Sequence, residues 1–557
     1  MRQAEQFDST VAINRWLKSA FLCAAVGMLA GCGGGGGGSG GDGGVPPTDV
    51  ELRVAVTAPT ATAGQAPSVR SQPAGIDCGL VCSARFALDT SVSLTATAPS
   101  GLQFSGWTGD CSGTASTCTL RMGAARSVTA TFVAVPQAGG WSGAAVLSAG
   151  GAGAPRVGID AAGQATAVWL QRDAGLSRRS VWASRRALGG SWSAPELIEA
   201  SDTDFFEVEL AVDAASGRLV AAWRSAMSPE VEARVADAAG VWGPTARLNG
   251  PGNNINDLQV GIDATGKAVA TWSQTAAGST VTSVWSNRIG GAGTWQGPLR
   301  VAVADNDRQD LDPSLAVSAN GSAFLVWTRN GSGVMASQSS PVAGWSEPSV
   351  LAAGVVSTGV AAPRMVADAN GNAMAVWAQG ARNSSNQIET TLAAKRFANG
   401  AWQGNATVLY APVATSSLGD VRLAANGLGQ FAAVWALPNA SVHAAQTDAA
   451  GTWASAATVR PAGLELFDLP TIGLDANGNR FATWTERAAT PAGTPELWLA
   501  RATAGAGWAQ PAVHQTTPDA TGTPRIAMND RGQAAMVWIV NGNEGSRVIS
   551  RYFTPDR

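Results

Sequence analysis

The chain has 557 residues, too many for one ordinary domain, so at least two folded units are expected. Glycine is abundant (67 residues) and only 14% of residues are charged, but the 21 tryptophans indicate a packed protein and exclude a disordered one. The net charge of -3 provides no basic surface, so nucleic acid is not expected as a partner.

The first 31 residues have the composition of an export signal. Arg15 and Lys18 are basic, an apolar stretch runs from Ala20 to Leu29, and residues 29–32 read Leu-Ala-Gly-Cys. The apolar stretch is too short to span a bilayer on its own. A plain secretory signal with a chance cysteine is the alternative to a lipoprotein signal.

The Leu-Ala-Gly-Cys sequence resembles the bacterial lipobox, in which the cysteine thiol is acylated and becomes the new N-terminus. The resemblance implies a signal peptide over residues 1–31 and lipidation at Cys32, so the membrane is a partner through a lipid anchor. Gly33 follows the cysteine, where inner-membrane lipoproteins carry a retaining aspartate; the resemblance therefore implies the outer membrane, on its periplasmic side or at the cell surface. Residues 32–48 are glycine-rich, which is typical of a flexible tether.

Residues 49–135 are expected to form a small β domain. Alternating apolar residues at 51–56, 91–98 and 127–133 predict strands. Its four cysteines have C-x3-C and C-x6-C spacings without histidine, which disfavours zinc, and disulfides suit an exported chain. Three connectivities are open; we favour the local pairs Cys78–Cys82 and Cys111–Cys118, because each would fix a loop beside a strand.

Three segments of this domain carry a family resemblance. They read Gly-Ile-Asp-Cys-Gly at 75–79, Phe-Ser-Gly-Trp-Thr-Gly-Asp-Cys at 104–111 and Ser-Val-Thr-Ala-Thr-Phe at 127–132. Together they resemble the divergent internalin-type B-repeat, a β-rich module of bacterial surface proteins. The resemblance implies a spacer or adhesion module without catalytic residues.

From Trp141 onwards one pattern recurs eight times. A polar turn such as Asp160-Ala161-Ala162-Gly163 is followed by a strand of small residues that ends in tryptophan, at spacings of 49 to 58 residues. The eight copies end at Trp169, Trp223, Trp272, Trp327, Trp377, Trp435, Trp484 and Trp538. A second set precedes them by 28 to 33 residues: Trp141, Trp192, Trp242, Trp295, Trp345, Trp402, Trp453 and Trp508.

Each repeat is expected to contain four short strands, which in the first copy are 156–159, 164–169, 181–186 and 192–198. A four-stranded blade of this length cannot bury both faces alone, so neighbouring blades must stack and close into a ring. The array opens on a fourth-type strand (141–147) and ends on a third-type strand (548–553), so the first can complete the last blade. We therefore predict an all-β chain: a small disulfide-stapled domain followed by an eight-bladed β-propeller over 139–557. The repeat length resembles that of kelch-type blades, and an open β-solenoid is the alternative.

The repeated turns and tryptophans are expected to be structural. The Asp-x-x-Gly turn is similar to the sialidase Asp-box in blade architecture only. Its asparagine-rich copies at 368–372 and 475–479 suggest calcium, but one carboxylate per turn is too few for that ion. An aspartate that bonds its own backbone and a glycine at positive φ explain the turn better. The indoles are expected to lie between blades, and neither metal nor cofactor is expected.

A ring of polar residues is the candidate ligand site. Four residues before each turn acid, early in the first strand, the repeats carry Arg156, Glu209, Gln259, Ser314, Arg364, Arg422, Thr471 and Arg525. The loops entering these strands add Asp204, Phe205, Phe206, Asn254, Asp257, Asp312, Asp420 and Asp468. Innermost strands would place the ring at one mouth of a central channel, where clustered arginines suit carboxylate, sulfate or phosphate. Alternatively, these side chains only solvate the channel or pair with one another, for example Glu209 with an arginine.

These features favour a membrane-anchored binding or adhesion protein whose ligand is a glycan or a protein. The alternatives are a glycoside hydrolase or lyase that acts on an anionic glycan, and a structural scaffold of the cell envelope. The enzyme is less favoured, because Tyr410, Tyr552, His443 and His514 all fall outside the predicted first strands. Loop acids such as Glu207 and Asp257 are of the type that glycoside chemistry uses, but no catalytic residue is assigned.

The lipid anchor is tested by changing its single acceptor thiol. A Cys32→Ala chain should incorporate no labelled palmitate and should leave the membrane fraction, because no other N-terminal thiol follows the predicted cleavage site. Persistent labelling of the variant would contradict the anchor.

Overall fold

The computed structural model describes residues 48–58, 67–98, 102–134, 140–172, 178–200, 204–225, 228–291, 293–302, 308–330, 333–341, 343–353, 362–382, 384–386, 388–413, 418, 420–437, 440–462, 466, 468–487, 495–515, 520–542 and 545–556. The predicted signal peptide, Cys32 and all of the tether except residue 48 lie outside these residues. Within the described ranges the regular structure is β-strand throughout, and no helix is long and apolar enough to cross a membrane.

The small domain is a pair of four-stranded sheets. Its strands are β1 (Asp49–Thr57), β2 (Ser68–Gln72), β3 (Asp77–Cys78), β4 (Ser83–Ala87), β5 (Ser91–Thr97), β6 (Leu102–Gly109), β7 (Thr117–Arg121) and β8 (Arg126–Ala134). The strand orders are β4-β1-β8-β6 and β3-β2-β5-β7. Apolar residues of both sheets, including Leu52, Leu94 and Val128, share one buried cluster. The disulfides Cys78–Cys82 and Cys111–Cys118 confirm the local pairing.

The repeats form eight successive antiparallel sheets, here numbered sheets 1 to 8. Sheets 1 to 4 comprise β11 (Ala152–Ile159), β12 (Ala165–Arg172), β13 (Arg179–Arg186), β14 (Glu196–Glu199); β15 (Phe205–Val212), β16 (Leu219–Ser225), β17 (Val231–Ala236), β18 (Ala246–Arg247); β19 (Gly252–Ile262), β20 (Ala268–Ala276), β21 (Thr282–Arg288), β22 (Leu299–Arg300); and β23 (Asp310–Val317), β24 (Ala323–Arg329), β25 (Gly333–Ser339), β26 (Ser349–Ala353).

Sheets 5 to 7 comprise β27 (Arg364–Ala367), β28 (Ala373–Arg382), β29 (Ile388–Ala398), β30 (Ala401–Trp402), β31 (Thr407–Val413); β32 (Arg422–Ala425), β33 (Phe431–Ala436), β34 (Val442–Gln446), β35 (Ala457–Arg460); and β36 (Thr471–Leu474), β37 (Arg480–Arg487), β38 (Pro495–Ala502), β39 (Ala512–Gln515). Sheet 8 comprises β40 (Ala520–Met528), β41 (Ala534–Gly542) and β42 (Gly545–Thr554), together with β9 (Gly140–Trp141) and β10 (Ala145–Val146).

The sheets follow one another in a cycle of contacts. The first strand of each sheet contacts the first strand of the next, and β40 of sheet 8 contacts β11 of sheet 1. The N-terminal segment completes sheet 8, because Val146 pairs with Ile549 and Trp141 pairs with Phe553. The predicted fourth strands begin too early: β14 starts at Glu196, and Trp192 forms only an isolated bridge to Arg186. The arrangement is propeller-like.

One indole fills each space between neighbouring sheets. The eight tryptophans of the second strands are 0% exposed. The second strands continue past them, as β12 does to Arg172, so the predicted strand end at residue 169 is wrong. Trp223 of sheet 2 packs against Val168 and Val181 of sheet 1, and each of the other tryptophans likewise contacts the preceding sheet. Trp169 of sheet 1 packs against Val537 and Val548 of sheet 8. Each buried ring removes ~150–250 Å² from water, so these contacts hold adjacent sheets together.

The Asp-x-x-Gly turns are structural, as predicted. Each buried carboxylate accepts a hydrogen bond from the amide four residues later: Gln164 to Asp160 (2.8 Å), Lys267 to Asp263 (2.9 Å), Asn372 to Asp368 (2.9 Å) and Asn479 to Asp475 (2.8 Å). Neighbouring turns are also bonded to one another. The Asn529 amide of sheet 8 donates to the Asp160 carbonyl of sheet 1 at 2.8 Å, which links the last repeat to the first.

The tryptophan contacts predict a graded loss of stability. Trp223→Ala should lower the free energy of unfolding by ~3–5 kcal/mol, because it leaves a cavity between sheets 1 and 2 and removes the donor to Glu232. Trp242, half-buried at the edge of the same cluster, is the control. Trp242→Ala should lower the free energy of unfolding clearly less. Guanidinium unfolding followed by circular dichroism measures both; equal losses would contradict the assignment.

His514 predicts a pH dependence of stability. Its ring lies against Trp141 of the completing strand (centroids 4.9 Å apart), and burial together with Arg551 lowers its pKa from 6.5 to about 4. The folded state therefore prefers the neutral imidazole. Its contribution is complete above the unfolded pKa and is lost as the pH falls through 6.5 towards 4.

The difference between wild type and His514→Gln should isolate this effect. The chain should lose about 1–2 kcal/mol more stability than the variant over that pH range, after allowance for the partial exposure of the ring. Identical pH profiles in denaturant titrations would contradict it.

Candidate functional site

The first strands of the repeats converge on a polar cavity of ≈ 380 Å³. It is lined by Arg156, Glu207, Glu209, Asp257, Gln259, Asp312, Pro313, Ala362, Arg364, Arg422 and Arg525. Six of the eight predicted ring residues are therefore brought together. The volume lies within the ~300–1,000 Å³ that is common for small-molecule sites.

Ser314 and Thr471 occupy the other two ring positions but do not line the cavity. The Ser314 hydroxyl accepts a hydrogen bond from the Met365 amide of sheet 5 at 3.1 Å. The Thr471 hydroxyl donates to the Pro524 carbonyl of sheet 8 at 3.2 Å. Both side chains are buried, so they join neighbouring sheets and are not available to a ligand.

Irregular backbone brings the loop acids into the same cavity. The register between first and second strands shifts just before the ring residue in sheets 1, 3 and 4, and a residue with left-handed φ lies within each shift: Ala154 (50°), Asp257 (57°) and Asp312 (55°). A bulge of this kind re-aims side chains, so Asp257 lines the cavity together with Gln259. Non-glycine residues in this conformation cluster at functional sites.

Closer to the C-terminal ends of the same strands, the lining becomes small and apolar. A second cavity of ≈ 390 Å³ is bounded there by residues such as Val157, Val212 and Leu474. The strands approach closely: a Cβ on Gly158 would lie 2.3 Å from Cγ2 of Val212. The predicted crowding of the innermost strands explains these small residues.

Part of the polar ring is paired internally, as the alternative interpretation expected. Arg156 donates to both oxygens of Glu209, at 2.6 and 2.9 Å. Burial lowers the pKa of Arg156, but the attraction of Glu209 outweighs it and the net shift is upward. Arg224 pairs with Glu207 at 3.2 Å.

Other charges in the cavity are compensated less well. Arg364 and Arg422 share the single carboxylate of Asp420, at 2.5 and 3.1 Å. Asp420 Oδ1 and the Nε atoms of both arginines are buried without a hydrogen-bond partner among the described residues. Two cations and one anion leave this part of the cavity with a net positive charge.

Arg525 has neither a hydrogen bond nor an ion pair within the described part of the chain, yet it lines the cavity. Burial, with repulsion from Arg156 and Arg422, lowers its pKa to about 9. Both effects penalise the charged guanidinium, and the attraction of an incoming anion would offset both.

Asp312 is the acidic counterpart. It lines the cavity and likewise has no hydrogen bond or ion pair among the residues that the structure describes. Burial and the neighbouring Asp257 raise the pKa of the Asp312 carboxyl. Burial and Glu209 also raise the pKa of Glu207. The cavity therefore holds two carboxyls whose protonated forms are favoured relative to ordinary surface acids.

The tyrosines and histidines lie outside this cavity. Tyr552 is buried and its hydroxyl donates to the Gly163 carbonyl at 2.7 Å. His443 stacks on Trp435 and bonds to the Ser441 hydroxyl at 2.9 Å. Across the described ranges no cluster of three or more His, Cys, Asp or Glu side chains is placed to hold a metal ion.

A known family matches one part of the chain, the small domain. The model of the divergent InlB B-repeat domain matches residues 75–136, which confirms the resemblance seen in the small domain. A search of curated proteins found no similar sequence. The kelch and sialidase resemblances of the repeats stay predictions.

Among solved structures, the chain is similar to the BP39L lectin from Burkholderia pseudomallei (14% identity, TM-score 0.43, covering 66% of this chain and 99% of that one). It is also similar to the polysaccharide lyase Uly1 (11%, TM-score 0.42, 74% and 92%). The third is the lectin of Aleuria aurantia, described as a six-bladed β-propeller with a novel fucose recognition mode (14%, TM-score 0.32, 54% and 96%). These identities and scores are low, so the site assignment depends on the geometry of this chain.

Proposed function

We propose that this chain is a lipid-anchored envelope protein whose eight sheets form an eight-bladed β-propeller, closed by β9 and β10, that binds a ligand at its polar mouth. The cycle of first-strand contacts and the pairing of Val146 with Ile549 support the closed ring. The tether and the disulfide-stapled domain would hold the propeller away from the membrane. The ligand is a glycan or protein that carries an acidic group.

The observation that carries this proposal is the unpaired Arg525 in a cavity with three other arginines. Buried guanidinium groups without counter-ions are costly, and carboxylate or sulfate groups match their planar donor geometry. A ring whose charges served only to pair with one another would not leave Arg525 without a partner among the described residues.

A second candidate is a hydrolase or lyase acting on an anionic glycan. The observation in its favour is the pair of half-buried carboxyls, Glu207 and Asp312, whose pKa values are raised and which line the same cavity as the arginines. Carboxyl groups of this kind are the ones that general acid–base chemistry on glycosides uses. A structural scaffold, the third candidate, would need neither these acids nor Arg525.

A binding experiment tests the proposal. Acidic glycans that contain uronate or sulfate should bind the purified chain more tightly than their neutral counterparts. Arg525→Gln should weaken that binding about tenfold or more, since it removes a desolvated charge-assisted contact. Arg53→Gln, in the exposed surface of the small domain, is the matched control and should change nothing.

Titration calorimetry with folded variants measures these affinities and separates a binding site from an enzyme. Equal affinity of wild type and Arg525→Gln for every acidic glycan that binds would contradict the site. Product release that stops in Asp312→Asn while binding persists would favour the enzyme.

A further inference from the structure

The two signs of charge lie on different parts of the cavity wall. The acidic lining residues belong to three consecutive sheets: Glu207 and Glu209 to sheet 2, Asp257 to sheet 3 and Asp312 to sheet 4. The arginines belong to the remaining part of the cycle: Arg364 to sheet 5, Arg422 to sheet 6, Arg525 to sheet 8 and Arg156 to sheet 1. The cavity is therefore dipolar, with an acidic wall and a basic wall.

Ion pairs within the cavity neutralise some of the charges on each wall. Uncompensated charges of both signs remain. Arg156 neutralises Glu209, and Arg224 neutralises Glu207. Asp257 and Asp312 remain on the acidic wall. Among the described residues, Asp257 accepts a hydrogen bond only from the Ser273 hydroxyl, at 2.7 Å. Arg525 and one of the two arginines that share Asp420 remain on the basic wall.

The unpaired groups belong to sheets that lie half the cycle apart. Sheets 4 and 8 are four sheets apart in either direction around the cycle of first-strand contacts, so Asp312 and Arg525 lie on opposite walls. The charges that act on each are consistent with this separation. The pKa of Asp312 is shifted by the charges of Asp257, Arg364 and Asp420. The pKa of Arg525 is shifted by charged groups of sheets 1, 2, 6 and 7.

A ligand with one charge satisfies only one wall. An anion against Arg525 relieves the repulsion among the arginines, but a second anionic group near Asp312 would add to the repulsion there. A cation has the converse effect. A molecule with both charges relieves both walls, and like-charge contacts act against the alternatives.

We infer that the cavity binds a zwitterionic ligand, with an acidic group against Arg525 and a protonated amine against Asp312. The chemical class is an amino-sugar acid or a similarly sized molecule that carries a free ammonium and a carboxylate. This inference rests on the proposed function, because it assigns the ligand class of the same cavity.

Three related probes separate the two charges. Glucosaminuronic acid carries both, its N-acetyl derivative keeps the carboxylate but loses the positive charge, and glucosamine keeps only the ammonium. Titration calorimetry of the full chain near neutral pH should give at least tenfold tighter binding for glucosaminuronic acid than for either of the others.

Two variants locate the charges. Asp312→Asn should weaken glucosaminuronic acid about tenfold and leave the N-acetyl derivative unchanged or bound more tightly, because the repulsive carboxylate is gone. Arg525→Gln should weaken both. Asp89→Asn and Arg53→Gln, exposed in the small domain, are the controls, and circular dichroism shows that each variant is folded.

The outcomes distinguish this inference from the function on which it rests. Equal affinity of glucosaminuronic acid and its N-acetyl derivative, or no effect of Asp312→Asn, would overturn the zwitterion but leave an anion site if Arg525→Gln still weakens binding. Binding of no probe by the wild-type chain, or binding that Arg525→Gln does not change, would overturn both.

Discussion

The contact on which the rest of the molecule depends is the burial of one indole between each pair of neighbouring sheets. A single four-stranded sheet has two faces to cover and too few residues to cover them. Each tryptophan supplies a large rigid surface to the sheet before it, and Trp169 does so for sheet 8, which precedes sheet 1 only if the array is cyclic. The strand completion at Val146 and the turn contact from Asn529 to Asp160 strengthen the same junction.

A cycle built in this way places every first strand at the centre, and this position explains the site. The C-terminal halves of those strands approach so closely that only small or apolar side chains fit. Their N-terminal halves carry the charged side chains of the polar cavity, and in sheets 3 and 4 bulges in the pairing with the second strand precede the ring residue. The site is thus a consequence of the packing: the repeated residues form the scaffold, and the positions at which the repeats differ form the cavity wall.

The sequence was sufficient for the scaffold because its signals are local and repeated. Tryptophan spacing predicted the sheets, the Asp-x-x-Gly turns predicted tight connections, and cysteine proximity predicted both disulfides. Fourth-strand boundaries were less accurate, since Trp192 and five of its equivalents make isolated bridges ahead of the strands. Six ring residues could be grouped by repeat position alone.

The remaining features of the site depend on contacts that no local pattern encodes. The repeat positions placed Asp257 and Asp312 beside the ring, but they could not show the bulges that precede the ring residues, or that Ser314 and Thr471 bond to neighbouring sheets. The sequence suggested that Glu209 pairs with an arginine. The arginine is Arg156, because sheets 1 and 2 are adjacent. The unpaired state of Arg525 is a property of the assembled wall and becomes visible only when all lining residues are placed together.

The most direct test of the central claim is the position of a bound ligand. A crystal structure of the chain with an acidic sugar should show the sugar in the polar cavity, with its carboxylate within hydrogen-bond distance of the Arg525 guanidinium. A sugar found instead between sheets 3 and 4, in the groove lined by Arg288 and Trp345, with the polar cavity empty, would contradict the account.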